Sequence, residues 1–195
     1  DFEQITKEYR LNVGLKVQFR NLDTFIHPDY KKSDLKYVKR FNETRLGIQD
    51  FREILDYAKS KGMKTVATPF DNESLGLFDE LDVDILKIAS CSSDDWPLLR
   101  AVAKVQRKII FSTAGAEISN LQKVYNLFKS NNRDFAFMHC VADYPTSHKH
   151  ADLARINILK ENFPDIEIGF STHESPHDES LAPYASAMGC TIFEK

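Results

Sequence analysis

Seven short apolar runs in this chain each end in side chains that can bind anions, move protons or ligate metals. In chain order the ends carry Lys16 and Gln18; Thr68 and Asp71; Lys87 and Ser90; Ser112 and Thr113; His139, then Tyr144; Ser171, Thr172 and His173; Glu194 and Lys195. One polar residue at a strand end is an ordinary meeting with water. Seven such ends in succession point to a shared rim, where parallel barrels place their reactive groups.

Lys16 and Lys87 fall inside apolar runs, where an unpaired ammonium is costly to bury. Three readings stay open for them: a core ion pair or snorkelling stem, two cations facing one dianion, or a Schiff-base lysine. Ser112-Thr113-Ala114-Gly115 leaves one run and enters a helical pattern, as a phosphate-cradling turn or a plain helix cap would. His139 lies among apolar residues and reads as a core imidazole. His173 ends its run after Gly169 and two hydroxyl residues, so it reads as an acid–base group or a metal ligand, with Glu194 nearby in strand order.

The elements that must position these groups follow from the pattern. The apolar runs are Leu15–Phe19, Lys64–Pro69, Ile85–Ala89, Lys108–Ser112, Phe135–His139, Ile166–Ser171 and Thr191–Glu194. Amphipathic stretches separate them, with apolar faces such as Ile48, Phe51, Ile54, Leu55 and Ala58, or Leu121, Val124, Tyr125 and Phe128. Asp1 opens a further helical stretch through Phe2, Ile5 and Tyr9. Strand alternating with helix, at about 25 residues per unit, predicts a parallel sheet with right-handed crossovers. An open doubly wound sheet should show a glycine-rich turn after its first strand, and the sequence has none, which favours a (β/α)8 TIM barrel. Asn21–Gly47 is long, polar and aromatic, so it reads as an active-site loop or as a surface insertion.

The totals narrow the class. With 195 residues, 42% hydrophobic and 28% charged, the chain has the composition of one globular domain. A net charge of -3 argues against a general nucleic-acid surface. No apolar run is long enough for a membrane span and no leader is visible. Three cysteines without metal-like spacing suit reduced thiols and a cytoplasmic setting. The chain opens without methionine and stops at the end of a strand-like run, so a fragment is expected: one partial barrel domain over residues 1–195.

The strand ends resemble the sialic acid synthase family, which includes legionaminic and pseudaminic acid synthases and spore-coat polysaccharide proteins. The resemblance rests on Leu15-Lys16-Val17-Gln18, Ala67-Thr68-Pro69-Phe70, Leu86-Lys87-Ile88-Ala89-Ser90, Ser112-Thr113-Ala114-Gly115, His139-Cys140 with Tyr144-Pro145-Thr146, Gly169-Phe170-Ser171-Thr172-His173 and Phe193-Glu194-Lys195. It implies condensation of phosphoenolpyruvate with an N-acylamino sugar, releasing phosphate. It gives Lys16, Thr68, Lys87, Ser90, Ser112 and the Thr113–Ala114 backbone to phosphoenolpyruvate, Gln18 and Tyr144 to the sugar, and Ser171 to substrate binding. His173 becomes a ligand of a divalent metal, commonly Mn2+ with Mg2+ or Co2+ as substitutes, and Glu194 joins through water. Lys16, Lys87, His173 and Glu194 are thus the catalytic set. A homodimer is implied for the full-length protein. Three positions depart from the family: Ala114 replaces a glycine, Ala142 an asparagine and Thr172 an aspartate. The family's first strand, second metal histidine and antifreeze-like domain fall outside the chain, so this piece is expected to be inactive alone. A Schiff-base barrel aldolase and a non-catalytic sugar- or phosphate-binding barrel are the competing readings.

Overall fold

The computed structural model describes residues 2–9, 11–175, 177 and 180–195, apart from the side chains of Phe2, Ile5 and Lys7. The chain divides into two compact units, Asp1–Leu86 and Lys87–Lys195. In both, neighbouring strands are parallel and follow sequence order.

The first unit begins with α1 (Phe2–Tyr9), whose expected apolar contacts through Phe2 and Ile5 lie outside the described residues. Next come β1 (Gly14–Phe19), α2 (Leu22–Phe25), α3 (Lys36–Glu43), α4 (Ile48–Ser60), β2 (Lys64–Pro69) and α5 (Gly76–Glu80). Strand β3 (Ile85–Ile88) pairs with β2 through Ile85 and Leu86. In β1 the side chains alternate. Phe19 is fully buried, edge-on to Phe51 of α4 and Phe78 of α5, at 5.0 and 5.7 Å between centroids. Lys16 and Gln18 therefore project from the opposite face, and the register sets Gln18 beside Thr68. Helix α4 starts where the Asp50 carboxylate accepts from the Gly47 amide at 2.8 Å, satisfying an otherwise unpaired N-terminal donor.

The second unit contains α6 (Trp96–Val102), β4 (Lys108–Ser112), α7 (Ile118–Ser130), β5 (Phe135–Cys140), α8 (Ala154–Asn162), β6 (Glu167–Ser171), α9 (Leu181–Ala187) and β7 (Phe193–Glu194). Asp95 caps α6 by accepting from the Leu98 amide. Leu121, Val124 and Phe128 recur at helical spacing on α7 and are buried. They meet the sheet face that carries Phe111 and Phe137. Phe137 has rings of Phe111, Phe135 and Phe163 at 5.6, 5.6 and 5.0 Å, all edge-on or tilted as the ring quadrupoles prefer.

All seven expected strands form, with small shifts at their ends. The carboxyl end of β3 yields to a 3-10 turn over Ser90–Ser92, and β7 is shortened to two residues. The segment 21–47 contains two short helices and a 3-10 turn at Pro28–Tyr30, so it is built rather than a plain loop. Among the described residues no helix is long and apolar enough to cross a membrane.

Because Phe137 is fully buried and touches three other rings, Phe137→Ala should cost about 3–5 kcal/mol of stability. Chemical denaturation of wild type and variant measures this. The exposed Tyr184→Ala change should stay within about 0.5 kcal/mol.

Candidate active site

Strand register sorts the second unit's candidate groups onto two faces. Ser112, Met138 and Gly169 form one lateral row, and Cys140, Ser171 and Glu194 form the next. Adjacent strands in register point the same way, so these rows share the face turned from the helices. The other face carries Phe111, Phe137 and Ile168, then His139, Phe170 and Phe193.

Lys87 belongs to the first of these faces, because its ammonium hydrogen-bonds the Glu194 carboxylate. Only 6% of the Lys87 side chain and 17% of the Glu194 side chain remain exposed. The two charges are thus largely withdrawn from water together, and each offsets the desolvation of the other. Ser112 and Ser171 are buried on the same face.

Gly169 lies between them for a steric reason. A Cβ there would stand 2.3 Å from Met138 Sδ and 2.6 Å from the Ile192 carbonyl oxygen. No side chain larger than hydrogen fits without moving the backbone at Ile192, just before β7.

His173 follows β6. Its Nδ1 faces the Val141 carbonyl at 2.9 Å, and a carbonyl can only accept, so Nδ1 carries the proton. In the neutral ring this leaves the Nε2 lone pair outward, 3.4 Å from Ser171 Oγ. Tyr144 lays its ring on the imidazole at 4.2 Å between centroids, and the Thr146 amide donates to the His173 carbonyl at 2.8 Å. The loop after β5 therefore holds the loop after β6. The Tyr144 side chain itself stays mostly exposed.

Thr113 is already committed. Both its amide and its hydroxyl donate to the Met138 carbonyl, each at 3.0 Å. With the Thr113 donors used, the turn's remaining donors are Ser112, Ala114 and Gly115, whose φ of +71° is the left-handed conformation glycine adopts freely. Ser90 is half-buried at the start of its 3-10 turn.

In the first unit, Lys16 and Gln18 are exposed on their face and Thr68 is buried. The sequence did not single out Arg20, although it donates to Gln18 Oε1 at 2.6 Å. Nor did it single out Glu174, buried after His173, whose Oε2 accepts from the Leu181 amide at 3.2 Å.

His139 belongs to the helix-packed face, not to the site. It is 1% exposed, stacks on Phe170 and shares a hydrogen bond with the Ala151 carbonyl at 2.8 Å. The core-imidazole reading holds. Burial pushes its pKa down.

A single metal-ligand position is compatible with His173, because the Val141 contact fixes the tautomer that puts the second lone pair on Nε2, which Ser171 Oγ approaches at 3.4 Å. Among the described residues, no three His, Cys, Asp or Glu side chains gather as a complete ion site.

The NeuB family model matches residues 10–195. The chain belongs to the NeuB family. Among curated relatives, it is 37% identical over 143 residues to the spore coat polysaccharide biosynthesis protein SpsE of Bacillus subtilis, covering 73% of this chain and 38% of that protein. It is 30% identical over 166 residues to the N,N'-diacetyllegionaminic acid synthase of Campylobacter jejuni, covering 84% and 49%. The chain thus spans about half the length, or less, of these curated NeuB relatives. A solved structure from Chromobacterium violaceum, named for spore coat polysaccharide biosynthesis, superposes with a TM-score of 0.96 at 42% identity, over 99% of this chain and 58% of that one. The N-acetylneuraminic acid synthetase of Leptospira borgpetersenii gives 0.85 at 28% identity, over 99% and 65%. A 3-deoxy-D-arabino-heptulosonate 7-phosphate synthase from Thermotoga maritima, at 13% identity and TM-score 0.68, shares the fold alone. The fold class is the expected α/β one, an incomplete (β/α)8 barrel.

Two measurements follow. Glu194→Leu removes the carboxylate that the buried Lys87 ammonium hydrogen-bonds and should cost about 3–5 kcal/mol, whereas Lys87→Met with Glu194→Leu should recover most of that loss. Denaturant titration of the two variants checks the difference. For His139 the folded pKa lies below the ordinary imidazole value of about 6.5, so the unfolded chain takes up the proton first. Its contribution is full above that value and is lost as pH falls from it toward the folded pKa. His139→Phe should flatten the fall in melting temperature across that window.

Proposed function

We propose that the protein containing this chain condenses phosphoenolpyruvate with an N-acylamino sugar to give a sialic-acid-type nonulosonic acid. The observation that carries this reading is the buried Lys87 ammonium paired with Glu194, set on one sheet face with Ser112 and Ser171 in a NeuB-family chain.

In this reading a new bond joins C3 of phosphoenolpyruvate to the aldehyde carbon of the open-chain sugar. The oxygen of water adds at C2, and phosphate departs. Lys87, Ser90, Ser112 and the Ala114 amide meet the phosphate and carboxylate, and Lys16 and Thr68 are given the same ligand. Gln18 and Tyr144 face the sugar. When phosphoenolpyruvate binds, its anionic oxygens compete with Glu194 for the Lys87 ammonium, so substrate arrival releases a carboxylate. Glu194 is then an acceptor for a proton from the attacking water.

His173 would hold a divalent metal through Nε2, with Glu194 in its water shell. The metal supplies Lewis-acid polarisation of the sugar aldehyde when bound. The Val141 carbonyl and the Tyr144 ring keep the imidazole oriented for that task.

The Schiff-base reading is weaker for Lys87, since an ammonium held by a carboxylate is a poor nucleophile. Phosphate release by the intact protein, assayed over a panel of N-acyl hexosamines and their 6-phosphates, tests the proposal. Lys87→Ala should lower kcat/KM for phosphoenolpyruvate by about 100-fold or more. Turnover without phosphate release, or borohydride trapping of substrate on Lys87, would overturn it.

A further inference from the structure

The first unit contains a device that the reaction scheme does not use. Arg20 follows β1 directly, and its guanidinium carbon lies 4.0 Å from the ring centre of Phe70, 4.7 Å from Phe41 and 5.9 Å from Phe25. Phe25 belongs to α2 and Phe41 to α3, so both rings come from the segment 21–47. Phe70 follows β2, whose Thr68 stands in register with Gln18. A weakly hydrated planar cation among aromatic faces is a stable arrangement, and arginine suits it better than lysine does.

The same guanidinium donates to Gln18 Oε1 at 2.6 Å. Arginine has donors and no acceptor, so the oxygen end of the Gln18 amide must face it. The Nε2 end of this exposed side chain is thereby turned to whatever Gln18 meets. Other contacts brace the segment. The Asn21 amide donates to Asp71 at 2.8 Å, and Arg45 pairs with Asp23 at 3.2 Å.

We infer that Arg20 is a positioning residue that couples the segment 21–47 to acceptor recognition. It clamps the segment through Phe25 and Phe41, and it fixes Gln18 as a hydrogen-bond donor to an oxygen of the acceptor. Lysine at this position keeps the charge and loses both the planar stack and the fork. The inference rests on the functional reading above for the identity of the acceptor, but the clamp itself does not.

The test uses the intact protein and three variants, Arg20→Lys, Phe41→Leu and Gln18→Glu. Exposed Lys31, Lys32, Lys36 and Lys39 report on the segment by trypsin cleavage. Arg20→Lys and Phe41→Leu should each speed cleavage there about tenfold, because the stack that orders the segment is lost. Gln18→Glu keeps a partner for Arg20 and cannot donate, so cleavage should stay as in wild type. In steady-state assays with the best acceptor of the N-acyl hexosamine panel, Arg20→Lys and Gln18→Glu should raise acceptor KM by about tenfold or more, with kcat and phosphoenolpyruvate KM within about twofold. A purely structural Arg20 would not give that split. Unchanged cleavage in Arg20→Lys and Phe41→Leu overturns the clamp. Unchanged acceptor KM in Gln18→Glu overturns the donor assignment. Absence of turnover with every sugar removes the functional reading, and the cleavage comparison still decides the clamp.

Discussion

An ammonium and a carboxylate, withdrawn from water side by side, set the terms for the second unit. Lys87 and Glu194 stand 107 positions apart in the chain, and each charge offsets the cost of withdrawing the other from water. Their contact fixes which face of β3 and β7 is polar. It thereby fixes, through side-chain alternation, which face must be covered by helices. The phenylalanines at 111, 137 and 163 occupy that covered face, and Ser112 and Ser171 the polar one. An arrangement that costs stability when half-broken is also one that a doubly charged ligand can exploit.

The loops above the sheet are stabilised by local chemistry of a different kind. Thr113 spends both its donors on Met138, His173 is fixed by Val141, and Tyr144 lies on the imidazole. Backbone carbonyls at the strand ends thus orient the polar side chains. The tautomer of His173 follows from this without any appeal to a ligand.

Much of the fold was legible because strands and helices here follow different periods. Runs such as Phe135–His139 and the Leu121, Val124 and Phe128 spacing admit few other placements. His139 and His173 were also separable, since one lies among apolar neighbours and the other after small polar residues. The Lys87 partner was not legible. Two charges that distant in sequence meet only after the sheet is assembled, and a strand lysine has several possible fates. The segment 21–47 was read as an active-site loop or a surface insertion, and its short helices and aromatic stack were not legible in the sequence. Arg20, Phe25, Phe41 and Phe70 have no periodic relation to one another. Thr113 shows the converse limit: its position suggested an anion contact, and the structure finds its donors already used within the sheet.

The crowding at Gly169 bears on how such a chain can diversify. With Met138 sulfur and the Ile192 carbonyl filling the space of a methyl group, β6 cannot acquire new chemistry at that row by substitution. Variation in ligand preference is pushed outward, to the segments that follow the strands, where insertions are tolerated. A descendant carrying alanine at 169 should also carry a smaller residue at 138 and a shifted β7, a paired change recognisable in any future set of sequences.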